Sequence, residues 1–380
     1  MKLRTGWAVL WALGMGWAQA TPTLTVRVLE KRAPALVQLR EDESGDWTGI
    51  KLTRANLSVN GKALSSYRTK AHLTVHLKAD GLDRRYPGTL TLSPAPDGKS
   101  LKIIDELSLD EYVACVTASE SGYDKSQPEY LKALGAVIRE YALGHLKRHP
   151  QYDLCDLAHC QVFQGIPKDF PFWEKIANAT QAYNPGIGPN GFYFHHCCGG
   201  VLGSAQKVWG GPETPGSRTG PDEVDGEVLC QGDPKFTWRT ETQVQKVETT
   251  LKNGAGLPEN ARLMDFQVVE KEGPRNKTFL GSFRLSNGKT RQVRINAQKF
   301  VSEFGKKFGW RVFPSLWFGI TPSGDNLLFS GRGFGHGVGL CQAGAVRLAQ
   351  KGWKWKDILG FYFPGPRSIG GTNISPNTGR

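Results

Sequence analysis

The chain has 380 residues, with 48 Lys and Arg against 35 Asp and Glu, a formal charge of +13 at pH 7, and seven cysteines. A surplus of positive charge suits an anionic partner, but the chain shows no recognisable nucleic-acid-binding module, so nucleic acid is not the expected one. The odd cysteine count excludes complete intramolecular pairing, and the length is enough for a sizeable core, in two lobes.

Residues 1–20 read as a signal peptide. Lys2 and Arg4 precede an apolar run from Gly6 to Trp17, and Ala18-Gln19-Ala20 stands before Thr21-Pro22 as a cleavage site. The apolar run is short for a hydrocarbon layer of ~30 Å, and no cysteine near the cleavage point invites a lipid anchor. No later stretch reads as a transmembrane helix, so no stable membrane insertion is expected. The protein is expected to be exported, to a periplasm or to the cell wall and extracellular space. From residue 21 to 107 short alternating runs such as Leu24–Val28, Asn56–Val59 and His72–Leu77 are separated by Asn60-Gly61, Asp80-Gly81 and Asp97-Gly98. This is the pattern of antiparallel strands with tight turns, a β-rich N-terminal lobe without evident chemistry.

Residues 108–239 carry the candidate chemistry. Glu120 ends a run of small and apolar residues (Val113, Ala114, Val116, Ala118), the half-buried setting that lifts a carboxyl toward general-acid work. A helix follows, with Ser126 as N-cap, Pro128 in its first turn, and Leu131, Leu134, Ile138, Ala142 and Leu146 on one face. His149, Cys155, His159 and Cys160 then gather four candidate zinc ligands within twelve residues. A Cys155–Cys160 disulfide is the alternative, and His145 the substitute if His149 points away. Further on, His195-His196-Cys197-Cys198 is expected to be a strand end whose His195 faces the cleft rather than a second metal site. Cys198 with Cys230 is the favoured disulfide pairing, and Cys115 the expected buried free thiol. Residues 240–322 read as a small inserted α+β unit, with strands near Phe266–Val269, Thr278–Leu285 and Arg291–Ile295 and a helix from Ala297 to Phe304. Residues 323–366 alternate glycine at 331, 333, 335, 337 and 339 with Arg332, Phe334, His336 and Val338, then close with helices over Ala343–Gly352 and Trp355–Phe361. Residues 367–380 form a tail. The fold class expected is mixed α/β (α+β), a helical catalytic core with a β-rich N-terminal lobe and an inserted unit.

The motifs S-L-D-E-Y-V, A-S-E, L-K-A-L-G-A-V-I-R-E-Y-A-L and D-L-C-D-L-A-H-C-Q-V-F-Q-G, with F-H-H-C-C-G-G and G-R-G-F-G-H-G-V-G-L-C-Q-A-G-A downstream, resemble the stage II sporulation protein D and amidase-enhancer family. The resemblance implies a lytic transglycosylase on peptidoglycan glycan strands, with Glu120 as the acid/base. It implies substrate contacts from Ser119, Arg139, Tyr141, His195, Arg332, His336 and Gln342. It also favours a structural zinc ion held by His149, Cys155, His159 and Cys160. One carboxyl is enough for a lytic route, in which the muramic C6 hydroxyl attacks C1 in place of water, whereas hydrolysis needs two. Asp110, Glu111, Asp124 and Asp153 are the nearby choices for a second acid. The alternatives are a non-enzymatic wall-binding enhancer of an N-acetylmuramoyl-L-alanine amidase and a zinc hydrolase acting on stem peptides.

Overall fold

The computed structural model describes residues 21–71, 74–183, 191–210 and 216–365. The expected signal peptide, His72 and the 367–380 tail lie outside the described residues. The fold is mixed α and β, as expected.

Two sheets open the chain. The strands Leu36–Arg40, Thr48–Thr53, Asn56–Val59, Lys62–Leu64, Val75–Ala79 and Leu82–Tyr86 form a six-stranded antiparallel sheet. Its hairpins turn at Asn60-Gly61 and Asp80-Gly81, where both residues of each pair have positive φ, the backbone that two-residue hairpins require. The second sheet has five strands in the order Leu154–Cys155, Thr23–Val28, Leu101–Ser108, Thr89–Pro94 and Tyr67–Arg68. Leu101, Ile103, Asp105 and Leu107 are buried and their neighbours partly buried, so this strand turns one face to the core. The buried set includes a carboxylate: Asp105 is fully enclosed, and neither of its oxygens has a hydrogen-bond partner among the described residues.

That strand hands Ser108 directly to helix α1, Leu109–Glu120. Ser108 accepts from the Glu111 N–H while the Glu111 carboxylate accepts from the Ser108 N–H, a reciprocal cap that starts the helix. From Tyr112 to Ala118 every residue of α1 is buried. Helix α2, Pro128–Gly144, starts with Pro128 after Gln127, not after Ser126, whose N–H and hydroxyl are engaged by Asp124. Leu131, Leu134, Ile138 and Ala142 are buried as expected, but the helix ends before Leu146, which is exposed. Helices α3, Phe170–Asn178, and α4, Ala205–Trp209, follow. One apolar cluster runs from Leu24 through both sheets, α1 and α2 to Phe363, so the N-terminal strands share their core with the helices.

A second apolar cluster belongs to the inserted unit. Helix α5, Val244–Ala255, the strands Arg262–Glu272, Arg275–Arg284 and Thr290–Asn296, and helix α6, Ala297–Phe308, pack around Phe266, Phe279, Phe283, Phe300 and Phe304. Each fully buried phenylalanine contributes roughly 2–3 kcal/mol of hydrophobic stabilisation. The cluster reaches Leu327 and Phe329, beyond the expected 240–322 span, because Thr237–Gln243, Asn326–Arg332 and Phe318–Ser323 pair as a small sheet beneath it. Helices α7, Gln342–Gln350, and α8, Trp355–Tyr362, close the described chain.

Candidate active site

Glu120 is the last residue of α1 and is partly buried. Its Oε1 accepts a 2.7 Å hydrogen bond from the Val162 N–H, while its other oxygen has no protein partner among the described residues. Burial raises its pKa and the Val162 N–H opposes the rise, leaving a net shift upward. The backbone around it is fixed as well. Gln342 Nε2 donates to the Glu120 carbonyl at 3.3 Å, and Gly122 and Tyr123, both at positive φ, turn the chain away directly after the helix.

An open cleft of about 670 Å³ contains Glu120, Ser121, Asp124, Tyr130, His196, the 227–234 loop, Gln342 and Arg347. Its other acids are engaged. Asp124 accepts from the Ser126 N–H and hydroxyl. Glu227 is held down to about 2 by hydrogen bonds from Arg347 and Lys351. Burial works to raise Asp233, but hydrogen bonds from His196 and the Lys235 N–H outweigh it and hold the carboxyl low. Glu120 is therefore the cleft carboxyl with a raised pKa and an uncommitted oxygen.

Below Glu120 lies the segment that supplies the Val162 N–H. His149 Nε2 is 3.4 Å from Cys160 Sγ, and His159 Nδ1 is 3.7 Å from Cys155 Sγ and 3.5 Å from Cys160 Sγ. All four donor atoms lie within 4.8 Å of one another, and both cysteines are free thiols. The neighbours His159 and Cys160 converge because a turn closed by the Cys160 N–H on the Leu157 carbonyl folds them inward. His145 stays outside, bonded to the Tyr141 carbonyl. Cys155 sits on the strand that pairs in parallel with Thr23–Val28, and Gln161, one residue before Val162, accepts from the buried Tyr112 hydroxyl. The donor group is thus anchored to the sheet on one side and to the Glu120 contact on the other.

Comparison with known proteins places this same segment. The stage II sporulation protein (SpoIID) family matches residues 97–184. The similarity to the SpoIID and amidase-enhancer family thus rests on this segment of the chain. An amidase enhancer of Bacillus subtilis (strain 168) is 35% identical over 89 residues, 23% of this chain and 12% of that protein. An uncharacterized protein of Brachyspira hyodysenteriae is 27% identical over 290 residues, 74% of this chain and 71% of that one. The SpoIID match therefore contains α1, Glu120, α2 and the His149–Cys160 group.

Outside the SpoIID segment, and in part within it, the structure moves several expected contacts. Gln342 does line the cleft, bonded to the Glu120 main chain rather than to its carboxyl. Ser119 turns back onto the Cys115 carbonyl at 2.9 Å. Arg139 is buried away from the cleft, where it pairs with Asp110 at 2.5 Å and donates to the Ala177 carbonyl. Tyr141 stacks on His145 at 4.0 Å. His195 does not face the cleft: its Nδ1 lies 3.1 Å from the Val338 carbonyl, its Nε2 has no partner among the described residues, and its ring meets His336 at 5.4 Å. Successive residues of a strand alternate in direction, so His196 takes the cleft position instead. His336 is packed with Tyr193, His195 and Trp209, and desolvation lowers its pKa to about 4. Arg332 lies over Phe236 and Trp317 and lines a separate hollow of about 390 Å³ on the inserted unit. Of the acids weighed as a second catalytic group, Asp110 pairs with Arg139, Glu111 caps α1, and Asp153 accepts from Thr25 and Lys147. His196, Asp233, Tyr130 and the Val162 N–H were not among the expected site groups. His196 carried a signal, the paired histidines at 195 and 196; the Val162 donor is main chain and carries none.

Proposed function

We propose that the chain is an exported peptidoglycan lytic transglycosylase that cleaves the MurNAc–GlcNAc bond, with Glu120 as its single acid/base. The observation that carries this reading is the state of Glu120: raised pKa, one oxygen held by the Val162 N–H, the other free, in a cleft whose remaining carboxyls are tied up. Protonated Glu120 donates to the glycosidic oxygen as the bond from C1 to that oxygen breaks. The resulting carboxylate takes the proton of the C6 hydroxyl as its oxygen closes on C1, giving a 1,6-anhydroMurNAc end and a free GlcNAc hydroxyl, with no water consumed. A hydrolytic route would call for a second free carboxyl at the site.

The donor set of His149, Cys155, His159 and Cys160 fits a structural zinc ion, two thiolates and two imidazoles converging from a short loop. Such an ion would supply a four-way cross-link. Cys160 leads through Gln161 to Val162, so the cross-linked loop keeps the Glu120 hydrogen-bond donor in place. The positive surplus of the chain suits a wall rich in stem-peptide carboxylates.

A second reading, a wall-binding enhancer of an N-acetylmuramoyl-L-alanine amidase, is favoured by the name of the Bacillus subtilis relative. Mass spectrometry of products from purified glycan strands, intact and stripped of stem peptides, separates the two. Anhydromuramic ends made by the wild type and absent with Glu120→Gln support the transglycosylase. Binding of strands by both proteins with cleavage by neither sinks it in favour of the enhancer.

A further inference from the structure

Four cysteines lie outside the Cys155–Cys160 pair and away from α1: Cys197, Cys198, Cys230 and Cys341, all buried as free thiols. The sulfurs of Cys198, Cys230 and Cys341 and a carboxylate oxygen of Asp222 all lie within 4.8 Å of one another. Cys198 Sγ is 3.5 Å from Cys230 Sγ and 3.0 Å from Asp222 Oδ2. Tetrahedral zinc with Zn–S bonds of about 2.3 Å separates its sulfurs by about 3.8 Å, so small side-chain shifts seat the ion.

The surroundings match anionic sulfur. The Gly200 N–H points at Cys198 Sγ at 3.2 Å, and the Cys198 N–H at Cys341 Sγ at 3.3 Å. Gly199 and Gly200, with φ of 75° and 102°, provide the turn that aims the first of these. Asp222 is fully buried, and the Tyr362 hydroxyl donates to its Oδ1 at 3.1 Å. Arg275 reaches in from the inserted unit to the carbonyls of Cys198 and Val201, bringing positive charge beside the thiols. Hydrogen bonds of this kind orient metal ligands and offset their charge. A Cys198–Cys230 disulfide would use two sulfurs and leave Cys341 and a buried carboxylate without an ion to meet them.

We propose that Cys198, Cys230, Cys341 and Asp222 form a second, closed zinc site that ties the 194–200 strand end, the 222–230 loop and the start of α7 together beneath the cleft. Soft thiolates select zinc, and four protein ligands leave no open position for water, so the role is structural. Loading one Zn2+ releases the three thiol protons to solvent and changes no oxidation state. The ligands are 24, 8 and 111 positions apart in the chain, far from the short paired spacings of zinc motifs.

The test is zinc per chain on the purified full-length protein after desalting into metal-free buffer, with mass mapping of cysteines alkylated under denaturing conditions. Cys230→Ser should carry one zinc fewer than the wild type, whereas Cys197→Ser, outside the donor set, should match it. The wild type should yield Cys198, Cys230 and Cys341 as alkylated thiols. Equal zinc in the wild type and Cys230→Ser overturns the site, and so does loss of zinc in Cys197→Ser. If Cys230→Ser does not fold, the wild type still decides: a Cys198–Cys230 cross-link overturns the proposal, and a Cys155→Ser/His159→Ala double variant that retains one zinc upholds it.

Discussion

At Glu120 two effects pull in opposite directions. Burial penalises the carboxylate and the Val162 N–H favours it, and burial wins. The sign sets the pH profile. As the proposed general acid, Glu120 begins protonated, so the rate should fall as pH rises through its elevated pKa, with a descending limb above the ~4.3 of an ordinary glutamate. A profile of kcat/KM against pH checks this; a limb at or below that value would remove the case for burial. Glu120→Gln keeps the shape and loses the proton, and the loss should be about 100- to 10,000-fold in strand cleavage with the melting curve unchanged. His195 and His196 show what reading residues alone can miss. Alternation along a strand guarantees that the two point apart, but which one enters the cleft is decided by the pairing of Phe194–His195 with Leu340–Cys341, far along the chain.

Among the elements, α1 was legible because its caps and its apolar run are local: Ser108 and Glu111 reciprocate, and Tyr112 to Ala118 are small or apolar enough to be enclosed. Arg139 was not, since a buried arginine on α2 looks like a cleft arginine until α1 brings Asp110 against it. Helix α5 went unread because its sequence is largely polar, with only Val247 and Leu251 as buried apolar anchors. Two predictions belong to this scale. The loop carrying Val162 depends on the His149–Cys160 group, so Cys155→Ser should cut strand cleavage and move the descending pH limb upward, as the N–H that lowers the Glu120 pKa is lost. A unchanged limb would uncouple the loop from the acid. The strand Leu101–Ser108 carries its own titration. Burial, with Glu111 adding to it, raises Asp105 to about 8. Because this folded value exceeds the unfolded one, the stabilisation is complete below about pH 4 and is lost as pH rises toward 8. Asp105→Asn does not titrate, so its stability relative to wild type should improve between pH 5 and pH 8, by up to about 4 kcal/mol. Urea unfolding at both pH values measures it, and a difference that stays flat would refute the buried acid.

For the whole molecule, the governing fact is that distant segments meet at the cleft. Gln342 holds the Glu120 carbonyl, the Leu340–Cys341 strand pairs with Phe194–His195, and α7 and α8 pack on α2. Arg275 fastens the inserted unit to this assembly through the carbonyls of Cys198 and Val201, and Gly337 is bare because a Cβ there would lie 1.9 Å from that guanidinium. A chain ending at residue 330 should therefore bind no glycan and cleave none, and limited proteolysis should cut it within α1–α2, where the intact protein resists. Protection equal to that of the full chain would show that the part up to residue 330 stands alone.

The interlacing of Glu120 with Gln342 also bears on timing. During synthesis Glu120 emerges long before Gln342 and the 227–234 loop that shape the space around it. Under the proposed lytic reading the acid is thus present early but without a cleft, and strands would be spared until the segment around Gln342 has arrived.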